Sequence, residues 1–186
     1  MQTDILVIGS GIAGLTYAIK IAEACPDKKV LVVTKSSSDE TNTKYAQGGI
    51  AVVNDLDNDS FAKHIVVKEG TLRVNEIIEW GAIFDKDAEG DFSLGKEGGH
   101  SENRILHHKD VTGAEMERAL IETIRRSKNI QFVNHYFIVD IITQHHFGFL
   151  ITKSTPDVQC YGVYALNLQT NQIEIIQSKI TMLATG

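Results

Sequence analysis

Gly9, Gly11 and Gly14 stand in G-x-G-x-x-G spacing, with Ser10, Ile12 and Ala13 between them. That spacing suits a turn that binds a dinucleotide pyrophosphate. The first glycine turns the chain off a strand, the second lets backbone approach phosphate, and the third lets a helix pack closely on a sheet. The N–H groups and positive dipole end of the following helix attract the phosphate charge. Alone, the pattern also fits an ordinary strand-to-helix turn without a ligand, and the flanks favour the ligand. Ile5-Leu6-Val7-Ile8 reads as a buried strand before the turn. Leu15 to Ala22 carries apolar residues at helical spacing, Pro26 and Asp27 close that helix, and Val30-Leu31-Val32-Val33 supplies a second strand. The result is a βαβ unit of about thirty residues, the length this motif needs. Such units ordinarily carry an acid for the ribose hydroxyls at the end of the second strand. Here Thr34-Lys35-Ser36 occupies that place. This argues against an ordinary NAD site and leaves Lys35 and Ser36 to hold an adenosine ribose or a phosphate.

Two further stretches carry chemistry. The hydroxyl-rich run Ser36 to Thr43 passes into Tyr45-Ala46-Gln47-Gly48-Gly49 and then Ile50-Ala51-Val52-Val53, which reads as a strand. Serine, threonine and paired glycines favour loops whose N–H groups point at a ligand, and a solvated connector is the alternative. Further on, Glu97-Gly98-Gly99-His100 puts a carboxylate and an imidazole in one turn, with Arg104, His107 and His108 close behind. A solvated loop is the default for such residues. The basic groups suit a dicarboxylate, since guanidinium pairs with carboxylate through two hydrogen bonds. Zinc is the rival for His100, His107 and His108, but the H-x-x-x-H spacing and the cysteines of such sites are missing from this segment, and no metal is expected.

Gly9 to Leu15, taken with Asn42-Thr43-Lys44-Tyr45-Ala46-Gln47-Gly48-Gly49-Ile50-Ala51, resembles the FAD-binding half of the flavoprotein superfamily that contains succinate dehydrogenase, fumarate reductase and L-aspartate oxidase. The resemblance implies an α/β fold of Rossmann-like FAD-binding type, with a central parallel sheet and an antiparallel β-meander. Residues 1–186 would form the N-terminal FAD-binding domain, truncated before the capping domain and the C-terminal helical domain. It implies FAD as cofactor, with Gly9, Ser10, Gly11, Ile12, Ala13, Gly14, Lys35, Ser36, Asn42, Thr43, Lys44, Tyr45, Ala46, Gln47, Gly48 and Gly49 along the pyrophosphate, ribityl chain and flavin ring. Membrane-bound members usually carry a flavin-linked histidine five residues before Gln47. Asn42 stands there and cannot form that bond, so FAD would be held noncovalently. None of His64, His100, His107, His108, His135, His145 and His146 offers an obvious substitute.

The run Glu97-Gly98-Gly99-His100-Ser101-Glu102-Asn103-Arg104-Ile105-Leu106-His107 is similar to the aspartate oxidase branch. It implies oxidation of L-aspartate to iminoaspartate, with oxygen or fumarate reoxidising the flavin and a functional link to a quinolinate synthase in NAD biosynthesis. Glu97 matches the acidic residue near the substrate amino group; a carboxylate attracts an ammonium and repels succinate. His100, Ser101 and Arg104 are assigned to loop shape. The alternatives are a soluble fumarate reductase or succinate dehydrogenase flavoprotein, or a non-catalytic FAD-binding fragment. The catalytic arginine and the histidines of the superfamily lie beyond Gly186, so this chain alone is expected to be inactive. The superfamily also has a longer stretch after the strand at Ile50. Here His64-Ile65 runs into Val66 to Val74, like the second half of a helix, so residues near 64–67 mark a deletion or an omitted loop.

The remaining sequence reads as scaffold. Asp110 to Gly113 opens a helix continued by Met116, Leu120, Ile121 and Ile124, with Thr112 or Asp110 as its cap. Strands are expected at Ile130–Val133, Phe137–Ile142, Phe149–Thr152, Cys160–Leu166 and Ile173–Ile176, with a turn at Asn167–Asn171. Ile180 to Gly186 resembles the strand end that returns to the flavin pyrophosphate. With 42% hydrophobic and 23% charged residues and only 2 prolines, the chain is a globular α/β sequence rather than a disordered one. A net charge of -6 with scattered Lys and Arg argues against nucleic acid as a partner. No apolar run reaches the roughly twenty residues of a membrane span, and Met1 leads directly into a core strand, so a cytoplasmic protein without a membrane partner is expected. Cys25 and Cys160 lie far apart and read as reduced, buried thiols.

Overall fold

The computed structural model describes residues 1–38, 40–52, 70–96 and 103–186. In chain order the elements are β1 (Gln2–Ile8), α1 (Ile12–Ala24), β2 (Val30–Val33), β3 (Ile50–Ala51), α2 (Gly70–Glu79), β4 (Leu94–Gly95), β5 (Ile105–Leu106) and α3 (Thr112–Arg126). They continue with β6 (Ile130–Val133), β7 (Tyr136–Thr143), a 3-10 turn (Gln144–Phe147), β8 (Cys160–Asn167) and β9 (Gln172–Leu183). The chain divides into two compact units, Met1–Thr41 with Ile121–Gly186, and Asn42–Leu120.

The first unit is built on a six-stranded sheet of order β6-β2-β1-β9-β8-β7. β6, β2, β1 and β9 run parallel, and β9, β8 and β7 are antiparallel. β2 is buried along its whole length and β1 nearly so, as expected of strands covered on both faces. Leu6, Ile8, Leu31 and Val33 pack with Val163, Ala165 and Ile176. Helix α1 buries Leu15, Ala18, Ile19 and Ala22, the spacing of a single helical face. At its far end the Asn129 side-chain amide donates to the carbonyl of Ala22 at 3.1 Å, an acceptor that the helix end leaves over, and to that of Lys28 in the following loop at 3.2 Å.

Two sequence expectations change here. Ile173–Ile176 and the run from Ile180 belong to one strand, β9, whose first half pairs with β8 and whose second half pairs with β1. No glycine or proline interrupts Gln172 to Leu183, so nothing breaks the strand between the meander and the parallel sheet. Phe149–Thr152, by contrast, is not a strand. Thr143 pairs directly with Cys160, which makes 144–159 the connection between β7 and β8 and leaves Phe149–Thr152 without a strand to join. Its backbone is used locally: Gly148 closes the 3-10 turn at φ 86°, and the Thr152 N–H donates to Thr155 Oγ1 at 2.8 Å. Cys25 and Cys160 are free thiols, half-buried rather than buried.

The second unit carries a three-stranded antiparallel sheet, β3-β5-β4, of two residues per strand. Val52, Val74, Ile77, Ala82, Phe84, Leu106, Met116 and Ala119 form its core, and Phe84 meets Phe92 edge to face with ring centroids 6.5 Å apart. The strand expected through Val53 is two residues long, with Val52 buried beyond it and its N–H donating to the Arg104 carbonyl at 2.9 Å. Val53 and residues 64–69 lie outside the described residues. Helix α3 begins where the sequence placed it, but Thr112 does not cap it. The Thr112 hydroxyl instead accepts the His108 N–H at 3.1 Å, in the turn before the helix. Among the described residues no helix is long and apolar enough to cross a membrane.

Candidate cofactor site

In the first unit the glycine turn is defined by contacts that exclude side chains. Gly9 has φ +114°, and a Cβ on it would collide with the Ala184 carbonyl oxygen. A Cβ on Gly14 would collide with the Gly9 carbonyl. β1, the turn and the start of α1 therefore approach one another closely only as glycines. The Gly9 N–H donates to Val33 at 2.9 Å and the Ala184 N–H to Ile8 at 2.8 Å, so the turn is fixed from both neighbouring strands. Ala184 is thereby brought to the turn from the far end of the chain.

Gly11 is the N-cap of α1 at φ -70° and ψ 175°; no side chain caps the helix, and no acidic residue lies in its first turn. Ser10 and Gly14 are buried, whereas Ile12 and Ala13 face outward. The Ser10 hydroxyl donates to Thr34 Oγ1 at 3.1 Å, both residues being buried. Thr34, not singled out as a site residue by the sequence, thus tethers the turn to the end of β2. Lys35 is exposed. Ser36 is half-buried, and its hydroxyl donates to the Glu40 carbonyl at 3.4 Å. These features suit a pyrophosphate: backbone N–H groups at a helix start, no carboxylate in its first turn, and glycines that let β1, the turn and α1 pack closely enough to form it.

In the second unit, residues 42–49 form an exposed segment. Asn42, Tyr45, Ala46, Gln47 and Gly48 are exposed; Thr43, Lys44 and Gly49 are half-buried. Lys44 Nζ stands 6.0 Å from the centre of the Tyr45 ring, and the Ala46 carbonyl accepts the Gly113 N–H at 3.1 Å.

Glu97, His100 and Ser101 lie outside the described residues. Around them, Arg104 is buried, and its N–H donates to the Gly95 carbonyl at 3.0 Å, joining β4 to β5. His107 and His108 both face Asp85. His107 Nδ1 donates to Asp85 Oδ2 at 3.0 Å, and His108 Nδ1 lies 3.8 Å from Asp85 Oδ1. The Lys109 N–H donates to the same carboxylate at 2.6 Å. That bond, with the donation from His107, outweighs partial burial and holds the Asp85 carboxyl below its ordinary range. Asp85 had no signal in the sequence, because its partners lie more than twenty residues away. Glu115 has a similar structural role. Burial pushes its carboxyl up, but the bonds from Arg118 Nε at 2.7 Å and the Ile83 N–H at 2.8 Å hold it below the ordinary glutamate value. Among the described residues no group of three or more His, Cys, Asp or Glu is placed to hold a metal ion.

A family model described as FAD binding domain matches residues 4–65 and 57–186. The chain belongs to the FAD binding domain family. FAD is the cofactor this membership implies, and the glycine turn fits its pyrophosphate. Among relatives, L-aspartate oxidase 2-a, chloroplastic, of Nicotiana tabacum is 40% identical over 98% of this chain and 29% of the relative. L-aspartate oxidase 1 of Ralstonia nicotianae is 32% identical over 100% of this chain and 37% of the relative. Among solved structures, the FrdA chain of E. coli quinol fumarate reductase superposes with a TM-score of 0.86 at 25% identity, covering 100% of this chain and 33% of that one. The chain thus spans about a third of the length of the proteins it matches.

Proposed function

We propose that this chain is the N-terminal FAD-binding part of an L-aspartate oxidase, whose complete protein oxidises L-aspartate to iminoaspartate. The observation that carries the reading is a similarity of 32 to 40% identity, across nearly the whole chain, to proteins named L-aspartate oxidase. Bound FAD supplies a two-electron acceptor at the substrate α-carbon, with oxygen or fumarate as the final oxidant. The chain's own residues bind and orient. Gly9 to Gly14 and the start of α1 hold the pyrophosphate, Lys35 and Ser36 the adenosine side, and Asn42 to Gly49 the flavin side. Asn42 in place of a linking histidine supports noncovalent attachment. Glu97 attracts the substrate ammonium and repels a substrate that lacks one. The product would feed a quinolinate synthase, and the site of action would be the cytoplasm. The family match comes in two pieces that overlap at 57–65. The alignment to the tobacco relative runs over 201 residues, more than the 186 here. Both features support a shortened stretch beside residues 64–67.

The test compares turnover of L-aspartate and succinate by the full-length protein. Aspartate oxidation, with KM raised in Glu97→Gln, is the expected result. Succinate oxidation without aspartate oxidation would favour the fumarate reductase reading, which the likeness to the E. coli enzyme supports. Denaturation followed by gel filtration separates the flavin from the polypeptide if attachment is noncovalent; yellow protein after that step would sink this part of the reading.

A further inference from the structure

Helix α3 carries a glycine at its second residue, Gly113, where alanine would serve a helix better. The space around it accounts for this. A Cβ on Gly113 would collide with the Thr43 carbonyl oxygen, and would lie 2.8 Å from the Ala46 carbonyl oxygen and 3.0 Å from the Ala46 Cβ. The Gly113 N–H donates to that same Ala46 carbonyl at 3.1 Å, while the Ala46 N–H donates back to Thr43 at 3.2 Å. The turn Thr43–Ala46 therefore rests on the first turn of α3 with two of its carbonyls over one glycine. At the other end of the segment, a Cβ on Gly49 would run into Ile105 Cγ2 and the Leu106 carbonyl of β5. Thr43–Gly49 is thus an arch with two feet, neither of which admits a side chain. Gln47 and Gly48 lie exposed between them.

We propose that Gly113 is a positioning residue for the FAD site: it seats the Thr43–Ala46 turn and so sets the shape of the arch that the cofactor meets. The proposal rests on the reading of residues 42–49 as a cofactor segment. The obstructing atoms are main-chain oxygens of one turn, so they cannot rotate out of the way as a side chain would. The helix cannot yield easily either, because Met116 and Ala119 fix α3 in a buried core. The exposed turn gives way instead, and a methyl group at 113 lifts it.

The experiment is Gly113→Ala in the full chain, read in two ways. Trypsin cleavage after Lys44, without added FAD, should quicken by about tenfold, because it follows the population of the lifted turn. Circular dichroism and the melting temperature of the FAD-free protein should stay within about 2 °C of the parent, a shift too small to signal loss of the core. FAD affinity, measured by flavin fluorescence, should fall by about tenfold, since a binding site loosened at its support loses its preorganised geometry. Unchanged cleavage overturns the proposal, as does loss of helix content, which would make Gly113 a packing residue of α3. Gln47→Ala separates the two layers of the argument. If it weakens FAD binding and Gly113→Ala does not, the role of Gly113 fails alone. If neither weakens it, the reading of 42–49 as a cofactor segment fails.

Discussion

In the unit formed by Met1–Thr41 and Ile121–Gly186 the glycine turn is held by main-chain bonds to long sheet strands, whereas in Asn42–Leu120 carboxylates hold the turn at His107–Lys109 and the start of α3. In the first, Gly9 hangs between β2 and the end of β9 through backbone hydrogen bonds, and long parallel strands set the direction of the turn. In the second, two-residue strands supply few ladder bonds, and carboxylates tie segments together. Asp85 binds the turn at His107–Lys109, and Glu115 binds Ile83 and Arg118. A turn fixed by a sheet tolerates change in its surroundings but not in its glycines. A turn fixed by a carboxylate depends on one ionisable group and hence on pH.

Three measurements test this contrast. The largest effect is expected for Gly9→Ala, which combines a left-handed backbone with a collision against Ala184. It should lower the free energy of unfolding in urea by about 3 kcal/mol and abolish FAD binding. A loss below about 1 kcal/mol would mean that the main-chain frame is softer than described. Next, Glu115→Ala should cost about 1 to 2 kcal/mol in the same assay, by leaving the Ile83 N–H and the Arg118 guanidinium without their shared acceptor. If it costs nothing, side chains do not hold the second unit as proposed.

The smallest effect is expected for Asp85→Asn and is read in pH. Because the folded Asp85 titrates below the ordinary aspartate value of 3.8, its contribution is fully present above that value. It is lost as pH falls through the lower folded value. Thermal melts between about pH 5 and pH 2 should therefore fall less steeply for Asp85→Asn than for the parent. Parallel curves would remove Asp85 from the account.

The first unit was legible because its signals are local. Apolar runs on either side of Gly9–Gly14, helical spacing from Leu15 to Ala22 and a second run at Val30 lie within one βαβ unit, so period and spacing were enough. The meander was legible except at Phe149–Thr152 and at the join of Ile173–Ile176 with the run from Ile180, which form one strand. Aromatic and β-branched residues at Phe149–Thr152 satisfied strand preference, yet pairing of Thr143 with Cys160 left no partner strand. Propensity cannot register a missing neighbour. The bond from Ser10 to Thr34 joins residues that the sequence treated separately, although it lies within the same βαβ unit.

By itself, the sequence determined a glycine turn between a buried strand and a helix, and its resemblance to a flavoprotein superfamily pointed to FAD. The turn follows from residue type at short range. Only the tertiary structure decided that Ala184 closes over Gly9, that His107 and His108 face Asp85, and that Gly113 carries the turn at Thr43–Ala46. Each depends on atoms from distant positions meeting at contact distance, and packing sets that distance.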